Sequence, residues 1–356
     1  MLHKLIVLSL VFVAATPVAS FAQVDSSPGP AAAGSAERAG APVEPVFISN
    51  VPEVAQSLPE PVPLTDTSAP RDRAGASHKP LAIVFDVDAL RRYHRLALGS
   101  SAAIVVDQEE GRLLFAKNAD AVRPIASITK LMTAMVVLDS GLPLDEDVII
   151  KRADVHMPTT RVSQLRPGML LTRRELLRLA LMASENPAAA ALARSYPGGT
   201  PAFVQAMNAK AAALSMRDTR FLEPTGLNHG NVSSAYDLAL MVDAGYTYPL
   251  IREFTTSESH DLPLVDRRRI TRIAFYNSND LVRSGEWQIG LSKTGFINEA
   301  GRCLVMQATI ESKPVIIVLL DSNDPASRTV DANRIKRALE GADLGDTAPE
   351  RQKRRM

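Results

Sequence analysis

An α+β protein, with an antiparallel sheet covered by helices and an inserted helical lobe, is the fold class that this 356-residue sequence predicts. Three observations predict it. Strand-like runs cluster at both ends of the globular stretch, at 102–107 and 113–116 near its start and at 287–292, 303–310 and 315–321 near its end. Helix-like runs fill the middle. Short turns, Glu109-Glu110-Gly111 and Glu311-Ser312-Lys313-Pro314, join neighbouring strands as hairpins, so one sheet is fed from both ends of the chain.

Each element has a local reason. A helix is expected over 86–98, followed by the first hairpin. The apolar run 131–138 continues from Ser127 without a polar face, which predicts a buried helix at the junction with the inserted lobe. Pro124 suits the start of that helix and places Ser127 in its first turn. Thr172-Arg173-Arg174-Glu175 is a capping box before the stripe Leu176, Leu177, Leu179, Ala180, Met182, Ala183. A helix follows over 201–214, and Ser234 caps another that ends near Gly245. The chain closes with strands and a helix over 329–339.

The flanks differ in composition. Met1-Leu2-His3-Lys4, an apolar run over 5–15 and Ser20-Phe21-Ala22 predict a signal peptide, residues 1–22, and hence export. Residues 23–80 hold 10 of the 24 prolines and read as a disordered Pro/Ala-rich tether. Residues 81–341 carry the globular pattern, and 342–356 form a basic disordered tail. No later run reaches the ~20 apolar residues of a membrane span, so none is expected in the mature chain. The charge, 40 basic against 39 acidic residues, gives no reason to expect nucleic acid. The one cysteine, Cys303, sits in an apolar run and reads as buried and inert. No metal-ligand spacing occurs.

Chemistry is carried by Ser127-Ile128-Thr129-Lys130, Ser184-Glu185-Asn186 and Lys293-Thr294-Gly295. Residues three apart on a helix share a face, so Lys130 can reach the Ser127 hydroxyl. A neutral lysine is a base, and burial plus a second cation lower a lysine's pKa. The Ser127 N–H, at a helix start, suits a developing oxyanion. Pro187 is expected to hold Asn186 out of helical geometry. On such an extended stretch Ser184 and Asn186 point together into a cleft while Glu185 points away. On a strand, Lys293 and Gly295 share a face, and glycine lets a substrate lie alongside. Thr294 offers a hydroxyl to substrate, and the Phe296 N–H is the expected second oxyanion donor. Arg328, after the last strand, either meets a substrate carboxylate or lies on the surface.

These motifs, in this order behind a signal peptide, resemble the D-alanyl-D-alanine carboxypeptidase/endopeptidase family of low-molecular-mass penicillin-binding proteins. The runs 123–139, 179–186, 203–210, 223–227 and 293–296 resemble its penicillin-binding protein 7 type endopeptidase branch. The resemblance implies a β-lactamase/transpeptidase-like fold and a periplasmic serine DD-endopeptidase that uses no cofactor. It makes Ser127 the acylated nucleophile and Lys130 the proton acceptor, with Ser184 and Asn186 completing the proton network. Lys293 and Thr294 bind substrate. Peptidoglycan stem peptides are the implied partners, and β-lactam antibiotics the implied covalent inhibitors. The family's carboxypeptidases usually carry an all-strand second domain and a membrane-binding helix, which do not fit after Leu339, so the endopeptidase is favoured. Three alternatives stand beside it: a DD-carboxypeptidase; a class A β-lactamase, disfavoured because no loop offers a carboxylate-held water; and a catalytically silent cell-wall-binding protein.

Overall fold

Strand β1 (Val84–Phe85) and helix α1 (Val87–Tyr93) open the described part of a computed structural model, which describes residues 79–155, 162–266, 269–322, 324 and 326–341. The expected signal peptide, the tether up to residue 78 and the basic tail lie outside the described residues. Asp86 caps α1 by accepting from the Asp88 and Ala89 N–H groups. The helix is shorter than expected. It ends at Tyr93, and Leu96 and Leu98 are buried as chain leading into the sheet.

The first hairpin is β2 (Ser100–Asp107) and β3 (Arg112–Lys117). After the short β4 (Arg123–Pro124), a 3-10 turn over Ala126–Ile128 runs into α2 (Thr129–Asp139), in which Thr129 to Val137 are all buried. Strand β5 (Asp147–Ile149), helix α3 (Arg152–Val155) and strand β6 (Leu170–Thr172) lead to α4 (Arg173–Met182). The Thr172–Glu175 capping box forms as the sequence predicts. Helices α5 (Asn186–Arg194) and α6 (Gly199–Ala213) complete the lobe. Strand β7 (Val232–Ser233) precedes α7 (Ala235–Tyr246), capped by Ser234, and α8 (Pro249–Thr256).

A long hairpin, β8 (Ser259–Asp266) and β9 (Arg269–Tyr276), then precedes α9 (Asp280–Arg283). The last strands are β10 (Gln288–Ile297), β11 (Gly301–Ile310) and β12 (Lys313–Ser322), and α10 (Ser327–Leu339) closes the chain. Among the described residues no helix is long and apolar enough to cross a membrane.

The main sheet has six strands in the order β1-β3-β2-β12-β11-β10. Its pairings are antiparallel except that the two-residue β1 runs parallel to β3, a small departure from the expected sheet. Both faces are covered. Ala102, Ile104, Val106, Val305, Ile316 and Val318 pack with α2, α4 and α7. Their neighbours Ala103, Val105, Leu304, Ile317 and Leu319 pack with Ala332 and Ile335 of α10. Because side chains alternate faces along a strand, burial on both sides demands unbroken apolar runs, which is what these strands show. Strand β10 lies at one edge of this sheet.

Candidate active site

Ser127 sits in the 3-10 turn, one residue after Ala126, whose φ is +48°. Two glycines press on this turn. A Cβ added to Gly226, itself at φ +83°, would lie 1.9 Å from the Ala126 oxygen. One added to Gly295 of β10 would lie 3.0 Å from the Ile125 oxygen and 3.1 Å from the Ser127 nitrogen. Edge strand and serine turn therefore touch through backbone, an approach that the absence of a side chain at Gly295 eases.

Lys130 lies one turn on, in α2, and is 1 % exposed. Its Nζ is 2.8 Å from Ser127 Oγ, 2.7 Å from Asn186 Oδ1 and 2.6 Å from the Thr225 carbonyl oxygen. Lys293, also 1 % exposed, donates to Ser184 Oγ at 2.9 Å and to the Thr294 carbonyl at 2.9 Å. Thr294 Oγ1 shares a 2.7 Å hydrogen bond with Ser278 Oγ. One cluster thus holds a hydroxyl beside an amine, a second hydroxyl beside a second amine, and an amide. Such a set can attack a carbonyl, shuttle a proton and attract an anion.

Ser127, Lys130, Ser184, Asn186, Lys293, Thr294 and Gly295 all meet here. Phe296 continues β10, with its ring 45 % exposed under the Arg302 guanidinium at 4.6 Å. The local geometry of the middle motif differs from the extended stretch expected. Ser184 adopts φ +61°, and Asn186 is the first residue of α5, with Pro187 inside its first turn. Proline has no N–H to lose there, so it starts the helix instead of excluding Asn186 from it. The interruption of helix between α4 and α5, not a strand's alternation, turns Ser184 and Asn186 inward. Glu185 is buried and accepts the Ser163 hydroxyl.

Sequence reasoning missed Glu223, Thr225, Gly226, Asn231 and Ser278 as parts of the site. Thr225 acts through its carbonyl, which any residue possesses, while Glu223-Pro224-Thr225-Gly226-Leu227 carried a signal in its proline and glycine. Cys303 is fully buried, and burial pushes its thiol up to about 11, so it is inert. Arg328 is half-buried, with its pKa lowered by burial and by nearby Arg302. His229 is exposed. Among the described residues no group of three His, Cys, Asp or Glu is placed to hold a metal ion.

Fold and cluster together define a serine hydrolase of the penicillin-binding kind. Residues 90–324 match the family described as D-alanyl-D-alanine carboxypeptidase, and the chain belongs to it. It is 49 % identical over 243 residues to a D-alanyl-D-alanine endopeptidase of Pseudomonas aeruginosa, spanning 68 % of this chain and 78 % of that one. A D-alanyl-D-alanine endopeptidase of Escherichia coli is 44 % identical over the same shares of the two chains. The crystal structure of a Streptomyces DD-transpeptidase superimposes with a TM-score of 0.65 at 29 % identity, covering 69 % of this chain and 98 % of that one.

Proposed function

We propose that this chain is a serine DD-endopeptidase that hydrolyses D-alanyl cross-links of peptidoglycan through an acyl-enzyme on Ser127. One observation carries the reading: Lys130 Nζ, buried, stands 2.8 Å from Ser127 Oγ. The substrate lies along the free edge of β10, as an added strand against Thr294 and Gly295. Ser127 Oγ attacks the D-Ala carbonyl while its proton passes to Lys130. The oxyanion is held by the Ser127 and Phe296 N–H groups, each such donor contributing on the order of 10²–10³ in rate. The proton taken up by Lys130 then passes through the Ser184 hydroxyl, which Lys293 holds, to the leaving amine; the C–N bond breaks and Lys130 is neutral again. Arg302 and Arg328 add positive field for a carboxylate on the leaving group. Water then hydrolyses the ester and regenerates Ser127.

The endopeptidase reading is favoured over a carboxypeptidase by the two endopeptidase relatives, each matched over 78 % of its length. β-Lactams, as mimics of the D-Ala-D-Ala end, acylate the same serine. Export to the periplasm is supported by the charged, apolar and small-residue order of residues 1–22, and the Pro/Ala-rich 23–80 serves as a tether. The test is digestion of defined muropeptides with peptide mapping of a fluorescent penicillin label. Loss of cross-linked dimers with label on Ser127 supports the reading. Pentapeptide trimming alone makes the enzyme a carboxypeptidase, and intact muropeptides leave only a wall-binding role.

A further inference from the structure

The loop 223–228 is wound around one carboxylate. Glu223 Oε2 accepts from the Thr225 N–H at 2.7 Å and from Thr225 Oγ1 at 2.6 Å. Its Oε1 accepts from the Gly226 N–H at 2.5 Å, from Asn231 Nδ2 at 3.1 Å and from the Asn228 N–H at 3.4 Å. The other ends of the same peptide groups face α2. In a trans peptide the C=O and N–H point in opposite directions. The group joining Pro224 to Thr225 has its N–H on Glu223 and its C=O on Thr133 Oγ1, at 2.7 Å. The next group, joining Thr225 to Gly226, has its N–H on Glu223 and its C=O on Lys130 Nζ, at 2.6 Å. Two successive peptides are thus clamped between one side chain and two residues of α2 that share a face.

We propose that Glu223 is a positioning residue: by gripping the Thr225–Gly226 peptide it fixes the carbonyl that aims the Lys130 amine at Ser127. A neutral amine has two N–H groups and one lone pair. Asn186 Oδ1 and the Thr225 carbonyl, which both only accept, take the two N–H groups and leave the lone pair to the Ser127 hydroxyl. The carboxylate also polarises the peptide and strengthens the carbonyl as an acceptor. Asn231, fully buried, braces the same loop. Its Oδ1 accepts the Leu222 N–H at 2.7 Å, and its Nδ2 donates to the Glu223 carbonyl at 2.8 Å and to Thr129 Oγ1 at 3.1 Å. The loop and the start of α2 are therefore one unit. The proposal rests on Lys130 being the base.

The test uses the full chain with Glu223→Gln and, in parallel, Lys130→Ala. Fluorescent penicillin time courses give the fraction of protein labelled, the non-covalent binding constant and the acylation rate constant per labelled site. An amide turns a donor toward the loop N–H groups and releases the Thr225 carbonyl. The expected result is full labelling, binding within about twofold of the parent, and acylation slower by about 10- to 100-fold, the scale of an ångström's misplacement. Acylation per site at the parent rate overturns the proposal, as does a loss confined to the labelled fraction, since that is misfolding. Lys130→Ala acylating normally overturns the base reading and this proposal together. An inactive Lys130→Ala beside an unimpaired Glu223→Gln overturns this proposal alone. If Glu223→Gln fails to fold, Thr225→Val removes one donor to the carboxylate and keeps the carbonyl. It is expected to slow acylation several-fold, and an unchanged rate again overturns the proposal.

Discussion

Ala126 and Ser184, neither of them glycine, hold left-handed backbone at φ +48° and +61°, and each sits within the reacting cluster. Such residues cost about 1–3 kcal/mol apiece and persist only where the surroundings over-determine them. Here the surroundings are Lys130 and Lys293, whose amines bond Ser127 and Ser184, with Gly226 and Gly295 pressed against the backbone of the Ala126 turn. Removing the first amine tests the chemistry directly. Lys130→Ala is expected to lower acylation by a fluorescent penicillin on the order of 10²–10⁴-fold, with far-ultraviolet circular dichroism unchanged. Acylation at the parent rate would point to another base. The sequence displayed Ser127, Lys130, Asn186 and Lys293 by type and spacing. It could not display the Thr225 carbonyl, because a backbone acceptor has no letter of its own, nor the φ of Ser184, which is set by packing.

Among elements, the edge strand β10 and the loop at Gly226 converge on the 3-10 turn of Ser127 from two directions, and the two glycines differ in tolerance. Gly295→Ala places a Cβ 3.0–3.1 Å from Ile125, Ala126 and Ser127 atoms, a distance that a small shift relieves. Gly226→Ala meets the Ala126 oxygen at 1.9 Å in a left-handed conformation, with backbone on the other side of the clash. Gly295→Ala is therefore expected to fold and acylate roughly tenfold more slowly, and Gly226→Ala to lose about 3 kcal/mol or more of stability. Chemical denaturation beside labelling kinetics separates the two outcomes. The hairpin β8–β9 went unread for a physical reason. Its sequence interrupts alternation with Pro263, and the letters between the paired Asp266 and Arg269 include neither the glycine nor the asparagine that marks a tight turn.

That hairpin carries a pH signature. His260 of β8 is held below its ordinary pKa by burial and by the charge of Arg178. The folded state thus binds its proton less readily than the unfolded chain. Stability is complete above the ordinary histidine value of about 6.5 and declines as pH falls through it toward the depressed folded value. His260→Asn is expected to flatten the loss of stability between about pH 6.5 and 5, measured as the urea midpoint against pH. An unchanged slope would assign that loss to other groups.

At the scale of the whole molecule, strand β2 and the closing helix α10 lie far apart in sequence and depend on one another. The fold class was legible because β2, β11 and β12 are buried on both faces and so read as plain apolar runs. What joins them was not legible, because it is a single buried carboxylate. Asp331 of α10, 1 % exposed, accepts from the Gly99 N–H at 2.9 Å, the Ser100 N–H at 2.8 Å and the Ser100 hydroxyl at 2.7 Å. Ser100 Oγ in turn shares 2.8 Å with Ser322 Oγ at the end of β12. The closing helix is thereby fastened to the start of β2, across 231 residues of chain. Asp331→Ala leaves two backbone donors without their acceptor, while the Ser100 hydroxyl keeps Ser322. Each uncompensated buried group costs about 1–3 kcal/mol, so a loss of about 3 kcal/mol is expected after partial relaxation. The staple lies on the α10 face of the sheet, while Ser127 and Lys130 belong with the helices of the other face. Acylation per folded molecule is accordingly expected within about twofold of the parent. Urea denaturation read beside penicillin labelling at low temperature checks both halves. A variant that keeps its stability would show that α10 is held by its apolar face alone, and one that folds but acylates slowly would mean that strain at β2 reaches the serine turn.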